Sequence, residues 1–336
     1  MYGNIGNIVL NRDVWTCVIN KLDQTYWHKI KILNKKMYAL VKKNSEMNIS
    51  KGTKYMIEHN LIETIIISDL NLNINLRRAC EQNNLFLAKY LISKGATNWH
   101  DALYNACKNK NKKMIDAIII NENKMNTQDW NAGLAGACEI GDKELVDFMI
   151  KKGANNWNTA LIHAGLGNHQ EIIKYIIIIS GGENKRFGLY GACASGNKNM
   201  VNYMINLGSH NWNVGLGGAC YGGKKEMIEY MIEKGANDIN RGLLDACTQK
   251  SREIIDYIIL LGANDWNIGL YGACLAGISK NIDYMISKGA TDMNKGLRAA
   301  CSKKNKKTVI NMVLNGANKC NCGKTIVQHI IICLDK

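Results

Sequence analysis

Proline is missing from all 336 residues of this sequence, whereas Asn, Ile and Lys are plentiful. That imbalance is consistent with an AT-rich genome and speaks of codons before physics. Also missing is any uncharged apolar run of the ~18 residues that a membrane-spanning helix needs. The densest apolar string, Ile176-Ile177-Ile178-Ile179, reads as a helix end. No basic segment followed by an apolar stretch opens the chain, so the sequence predicts no secretory signal and no membrane attachment. Neither a phosphate-cradling P-loop nor a Gly-x-Gly-x-x-Gly after a strand pattern is present. Paired acids such as Glu226 and Glu229 fall on a helix face where solvation accounts for them, and the sequence predicts no enzyme and no cofactor. With no groove-reading or base-stacking module, the net charge of +15 predicts weak, salt-sensitive attraction to nucleic acid and no specific nucleic-acid partner.

What the chain does have is repetition. The string Gly262-Ala-Asn-Asp-Trp-Asn-Ile-Gly-Leu-Tyr-Gly-Ala-Cys274 returns, lightly edited, from Gly95, Gly153, Gly208, Gly235, Gly289 and Gly316. Aligning the Ala-Cys pairs gives Cys80, Cys107, Cys138, Cys193, Cys220, Cys247, Cys274 and Cys301, with Gly165 standing in for one copy. From Cys193 to Cys301 the spacing is 27 residues each time. A constant period in this range marks a solenoid of stacked supersecondary units. About nine units cover residues 76–320. Twelve cysteines could suggest a disulfide scaffold. Eight of them, however, recur at one position beside an alanine, as small buried apolar residues do. The reading is therefore a reduced, intracellular protein.

Each repeat has the text of a helix pair. In Asn213-Val-Gly-Leu216-Gly-Gly-Ala219-Cys220-Tyr-Gly-Gly223, Leu216, Ala219 and Cys220 share one helical face. Asn213 is expected to cap the helix, as are Asn131, Asn158, Asn240, Asn267 and Asn294. Gly223, like Gly141, Gly196 and Gly277, is expected to end it. Glu226–Ile232 forms a second helix, with Tyr230 matched by Tyr90, Phe148, Tyr175, Tyr203, Tyr257 and Tyr284. Helix, turn, longer helix and terminal Lys-Gly-Ala resemble an ankyrin repeat. The period departs from that family's ~33 residues, and Thr-Pro-Leu-His is replaced by strings such as Val214-Gly-Leu216-Gly. The resemblance implies an all-α, ankyrin-like helix-turn-helix solenoid with shortened connectors. Repeats of this Asp-Trp-Asn type look like those of large DNA viruses of protists, which would place the chain inside a host cell, in cytoplasm or nucleus.

Outside the repeats, residues 1–43 are expected to form a small helical module, 44–75 a degenerate capping repeat or linker, and 321–336 a capping helix. Val14, Cys17, Val18 and Leu22 follow amphipathic spacing. Leu10, Asp13-Val14-Trp15, Ile19, Leu22-Asp23, Ile30, Leu33 and Met37-Tyr38 resemble an F-box, although Asn11 replaces that family's proline. If the resemblance holds, Leu10, Val14, Trp15, Ile19 and Leu22 would dock on the adaptor Skp1 of a host cullin ubiquitin ligase. A plain helical cap explains the same pattern.

The candidate binding residues lie in the repeats. The ankyrin resemblance implies that a protein partner docks on the concave face made by the first helices of a monomer. Positions just after Gly-Leu vary most, and Tyr104, Tyr190, Leu244, Tyr271 and Arg298 are the expected contacts. The alternative is that the tyrosines pack between helices. Gly136, Gly191, Gly218 and Gly272 follow directly and call for close approach, by a neighbouring repeat before a ligand. Trp99, Trp130, Trp157, Trp212 and Trp266 are expected to form a hydrophobic ladder between connectors, because Ile239, Met293 and Cys320 replace them elsewhere. His163 and His169 lack a carboxylate at any motif spacing. Cys320, Cys322, His329 and Cys333 are too irregularly spaced for a zinc site, and no metal is expected.

Overall fold

Leucine, alanine and cysteine at fixed spacing do form one buried helical face. The computed structural model of the protein describes residues 72–182, 184–303 and 305–319, which contain 18 α-helices and a short 3-10 turn, with no strand among the described residues. The segments 1–43 and 321–336, most of 44–75, and the F-box-like residues Leu10, Val14, Trp15, Ile19 and Leu22 lie outside the described residues. So do Cys320, Cys322, His329 and Cys333.

The chain divides into two compact units, 1–125 and 126–336. The described part of the first comprises α1 (Leu72–Glu81), α2 (Leu85–Ser93), α3 (Trp99–Lys108), α4 (Lys112–Ile119) and the 3-10 turn Glu122–Lys124. That turn takes up the longer spacing between Cys107 and Cys138. Helix α1 is described from Leu72 onward. The described part of the second unit holds seven helix pairs: α5 (Thr127–Ile140) with α6 (Lys143–Lys151), α7 (Trp157–Leu166) with α8 (Gln170–Ile179), and α9 (Lys185–Ser195) with α10 (Lys198–Asn206). These continue as α11 (Trp212–Gly222) with α12 (Lys225–Glu233), α13 (Ile239–Cys247) with α14 (Arg252–Leu260), α15 (Trp266–Ala276) with α16 (Ser279–Ser287), and α17 (Met293–Ser302) with α18 (Lys306–Leu314). Odd-numbered helices are the first of each pair. Within a unit each packs on the first helices of the repeats before and after it.

The core is a set of columns. Leu134, Leu161, Leu189, Leu216, Leu243, Leu270 and Leu297 are fully buried, as are Cys138, Cys193, Cys220, Cys247 and Cys274. No disulfide joins the described cysteines, and all but the half-buried Cys301 are enclosed. Burial pushes the thiols of Cys80, Cys193, Cys247 and Cys274 up to about 12. The second helices contribute Met149, Ile176, Met204, Met231, Ile258, Met285 and Met312, also fully buried.

Mid-helix glycines make room for these neighbours. A Cβ on Gly215 or Gly269 would stand 2.5 Å from the sulfur of Met231 or Met285. A Cβ on Gly191, Gly218 or Gly272 would run into the carbonyl oxygen of Ile162, Tyr190 or Leu244 in the preceding repeat. Close approach is thus between repeats, as the glycine pattern predicts. Gly223 ends α11 at a φ of 68°, in the left-handed region where glycine has no steric penalty.

One expectation is corrected. Asn213 does not cap α11: the cap is Asn211, whose side chain accepts from the Val214 amide, and Asn156, Asp238, Asp265 and Asp292 cap α7, α13, α15 and α17 in the same way. Asn213 lies inside the helix, and its Oδ1 accepts from the backbone amides of Asn237 (2.8 Å) and Asp238 (3.0 Å) in the next connector. Asn73, Asn131, Asn240, Asn267 and Asn294 repeat this clamp at the same separations. Asn158 is the exception: its buried Oδ1 has no partner. Twenty-four residues on, the sequence reads Ser180-Gly181-Gly182 where each clamped connector has Gly-Ala.

Candidate binding face of the first helices

Helical periodicity leaves one stripe of each first helix outside the core. In the second unit this stripe carries Phe187, Tyr190, Val214, Leu244, Ile268, Tyr271 and Leu275, all half-buried, together with the exposed Tyr221. The four helices α9, α11, α13 and α15 contribute one to three of these each, because apolar residues return every three or four positions on the outer side of the leucine column.

Of the five predicted contact residues, Tyr190, Leu244, Tyr271 and Arg298 share this unit and are half-buried. Tyr104 belongs to the other unit, where Lys108 Nζ lies 5.7 Å from its ring centroid. Tyr190 does not stand free. Gly217 offers no side chain, so the Tyr190 ring lies across it, with Cε2 3.6 Å from where a Cβ would be. The hydroxyl reaches over that repeat and donates to Asp245 Oδ1 at 3.2 Å, 55 residues along the chain. Its ring also meets Tyr221 at 5.9 Å between centroids.

Asp245 and Arg241 are the residues that sequence reasoning missed. Asp245 holds the position that is glycine in Gly191, Gly218 and Gly272, and it is the one carboxylate in that column among the described repeats. That oddity was the available signal. Arg241 Nε donates to Asp245 Oδ2 at 3.1 Å; the acid side chain is 9% exposed and the arginine 47%. Burial raises the Asp245 carboxyl above its ordinary pKa, and the charge of Arg241 and the two hydrogen bonds oppose that rise. Tyr190 is pushed up as well, by burial first and then by the Asp245 charge.

Spacing also concealed a partner for His163. Its Nδ1 lies 2.8 Å from Glu139 Oε2 of the preceding repeat, while His169 Nε2 sits 3.0 Å from the Glu139 carbonyl. Among the described residues no group of three His, Cys, Asp or Glu side chains is placed to hold a metal ion. The tryptophans divide: Trp99 and Trp130 are buried, and Trp157, Trp212 and Trp266 are half-buried. Trp212 and Trp266 lie against Gly235 and Gly289 of the following connector, so the ladder is present with its outer edge open.

The second helices carry their own ladder on the opposite stripe. Tyr175, Tyr257 and Tyr284 donate to Asp147, Glu229 and Asp256 of the preceding repeat at 2.6–2.8 Å. Lys143, Lys225 and Arg252 lie over the same three rings. Part of the excess positive charge therefore joins repeats together.

Residues 103–188 match the family model for ankyrin repeats, in three copies. Over that stretch the chain is similar to ankyrin repeats. The described residues of each unit fold as an all-α, ankyrin-like helical solenoid, and repeats of this kind indicate a protein–protein interaction scaffold. No curated protein matches the sequence. No helix among the described residues is long and apolar enough to cross a membrane.

Proposed function

We propose that this protein is a non-enzymatic scaffold, acting as a monomer, that captures a protein partner on the first-helix face of residues 126–319. The observation carrying this reading is the stripe of Val214, Tyr221, Leu244, Ile268, Tyr271 and Leu275, uncovered on consecutive helices while the columns behind it are closed. Large aromatic and aliphatic groups left half in solvent on adjoining elements are what a partner would desolvate. The test pairs wild type with Leu244→Arg plus Tyr271→Ala in affinity capture from an infected-cell or host lysate. Loss of a retained protein at unchanged helical content supports the reading. Equal retention by both chains would refute it.

The finer reading is that residues 1–43 make the scaffold an adaptor that delivers its partner to a Skp1–cullin ubiquitin ligase. It rests on the resemblance of Leu10, Val14, Trp15, Ile19 and Leu22 to an F-box. Pull-down with Skp1, wild type against Val14→Asp plus Leu22→Asp, decides it. No retention by wild type leaves a scaffold or inhibitor without a ligase link.

A further inference from the structure

The Tyr190–Asp245–Arg241 chain lies on the proposed binding face, and its construction suggests what that face takes. From α9 to α17 the first helices carry Lys185, Arg186, Arg241, Lys295 and Arg298 against a single acid, Asp245. Asp238, Asp265 and Asp292 sit at the edge of this face, each accepting a backbone amide as a helix cap. A buried ion pair is poor evidence for stability, since apolar residues of similar volume serve as well. Every other described second-unit repeat places glycine, alanine or histidine where Asp245 stands. What the acid does achieve is geometric. It takes Nε of Arg241 and is itself held by the Tyr190 hydroxyl, which fixes one side of the guanidinium fork while the arginine side chain stays 47% exposed. Such a fork matches a carboxylate in bidentate fashion.

We infer that the segment captured by this face is acidic, and that Arg241, positioned by Asp245, grips one of its carboxylates while adjacent apolar residues fill the surface around Leu244, Ile268 and Tyr271. The inference rests on the proposed function above. Protein is favoured over nucleic acid because, past the adjacent Lys185 and Arg186, the cations are few and have apolar residues between them, whereas regularly spaced phosphates call for a continuous basic track.

The test selects binders to the full chain from a displayed library of short random peptides. Enriched Asp or Glu next to Leu, Ile or Phe is expected. For the selected peptides Arg241→Gln should lower affinity about tenfold, the size of a lost charge-assisted contact. Arg241→Lys should lose nearly as much, because lysine keeps the charge without the fork. Full affinity in the lysine variant would overturn the role given to Asp245. Peptides without acids that are nonetheless lost on Leu244→Arg would overturn the acidic assignment and leave the binding face standing. Failure to select any peptide, or binders indifferent to both Leu244→Arg and Arg241→Gln, would remove the face itself. A single-stranded oligonucleotide that binds through Arg241 without needing Leu244 would replace protein with nucleic acid as the partner.

Discussion

Replacing Asn240 by alanine tests how adjacent repeats are joined. Asn240 Oδ1 accepts from two backbone amides, Asn264 and Asp265, each at 2.9 Å. Each such bond contributes about 0.5–1.5 kcal/mol net, so the pair contributes about 1–3 kcal/mol. Alanine is a better helix former by about 0.5 kcal/mol, which leaves an expected loss of about 0.5–2.5 kcal/mol. Asn158 provides the internal control. Its Oδ1 is buried without a partner, so Asn158→Ala should be neutral or stabilising, because it removes an unsatisfied polar atom and improves helix propensity. Repeat arrays can unfold in stages, so urea unfolding should be paired with hydrogen exchange, where the amides of Asn264 and Asp265 lose protection only in Asn240→Ala. Equal destabilisation by the two substitutions would show that the clamp contributes nothing and that asparagine acts here through some other property.

Three further outcomes follow from the same geometry. Gly218→Ala should lower the urea midpoint despite a gain of about 1 kcal/mol in helix propensity, since the new Cβ meets the Tyr190 carbonyl; overpacking of about 1–3 kcal/mol outweighs it, and a raised midpoint would disprove the close approach. In the native chain, iodoacetamide at neutral pH should leave Cys80, Cys193, Cys247 and Cys274 unmodified, as mass spectrometry of digests would show, because burial holds them as thiols; labelling before unfolding would contradict the packing. The raised pKa of Asp245 means that the fold prefers its protonated form, so the associated stability is present at low pH and lost as pH rises through the folded value. Arg241→Gln removes the charge opposing that rise, and it should therefore destabilise at neutral pH and cost progressively less as the medium is acidified; a penalty independent of pH would deny the ion pair its electrostatic role.

Much of this architecture could be read along the chain. A return every 27 residues of Leu, Ala and Cys on one helical face specifies a stack of helix pairs, because only a neighbour shaped like the repeat itself can cover that face. Glycines next to the variable position signalled contact between repeats, and the contacts are with Ile162, Tyr190 and Leu244 carbonyls. Tertiary structure decided the partners. An asparagine near a helix start fits a cap or a clamp equally well on paper; the distance to a connector 24 residues ahead made Asn213 a clamp. Tyr190 has the text of a free anchor, yet the missing side chain of Gly217 lets it reach Asp245 two repeats away. Periodicity determines which face a residue occupies, but the group it meets depends on how the neighbouring repeats are superposed, and that is set by packing in three dimensions.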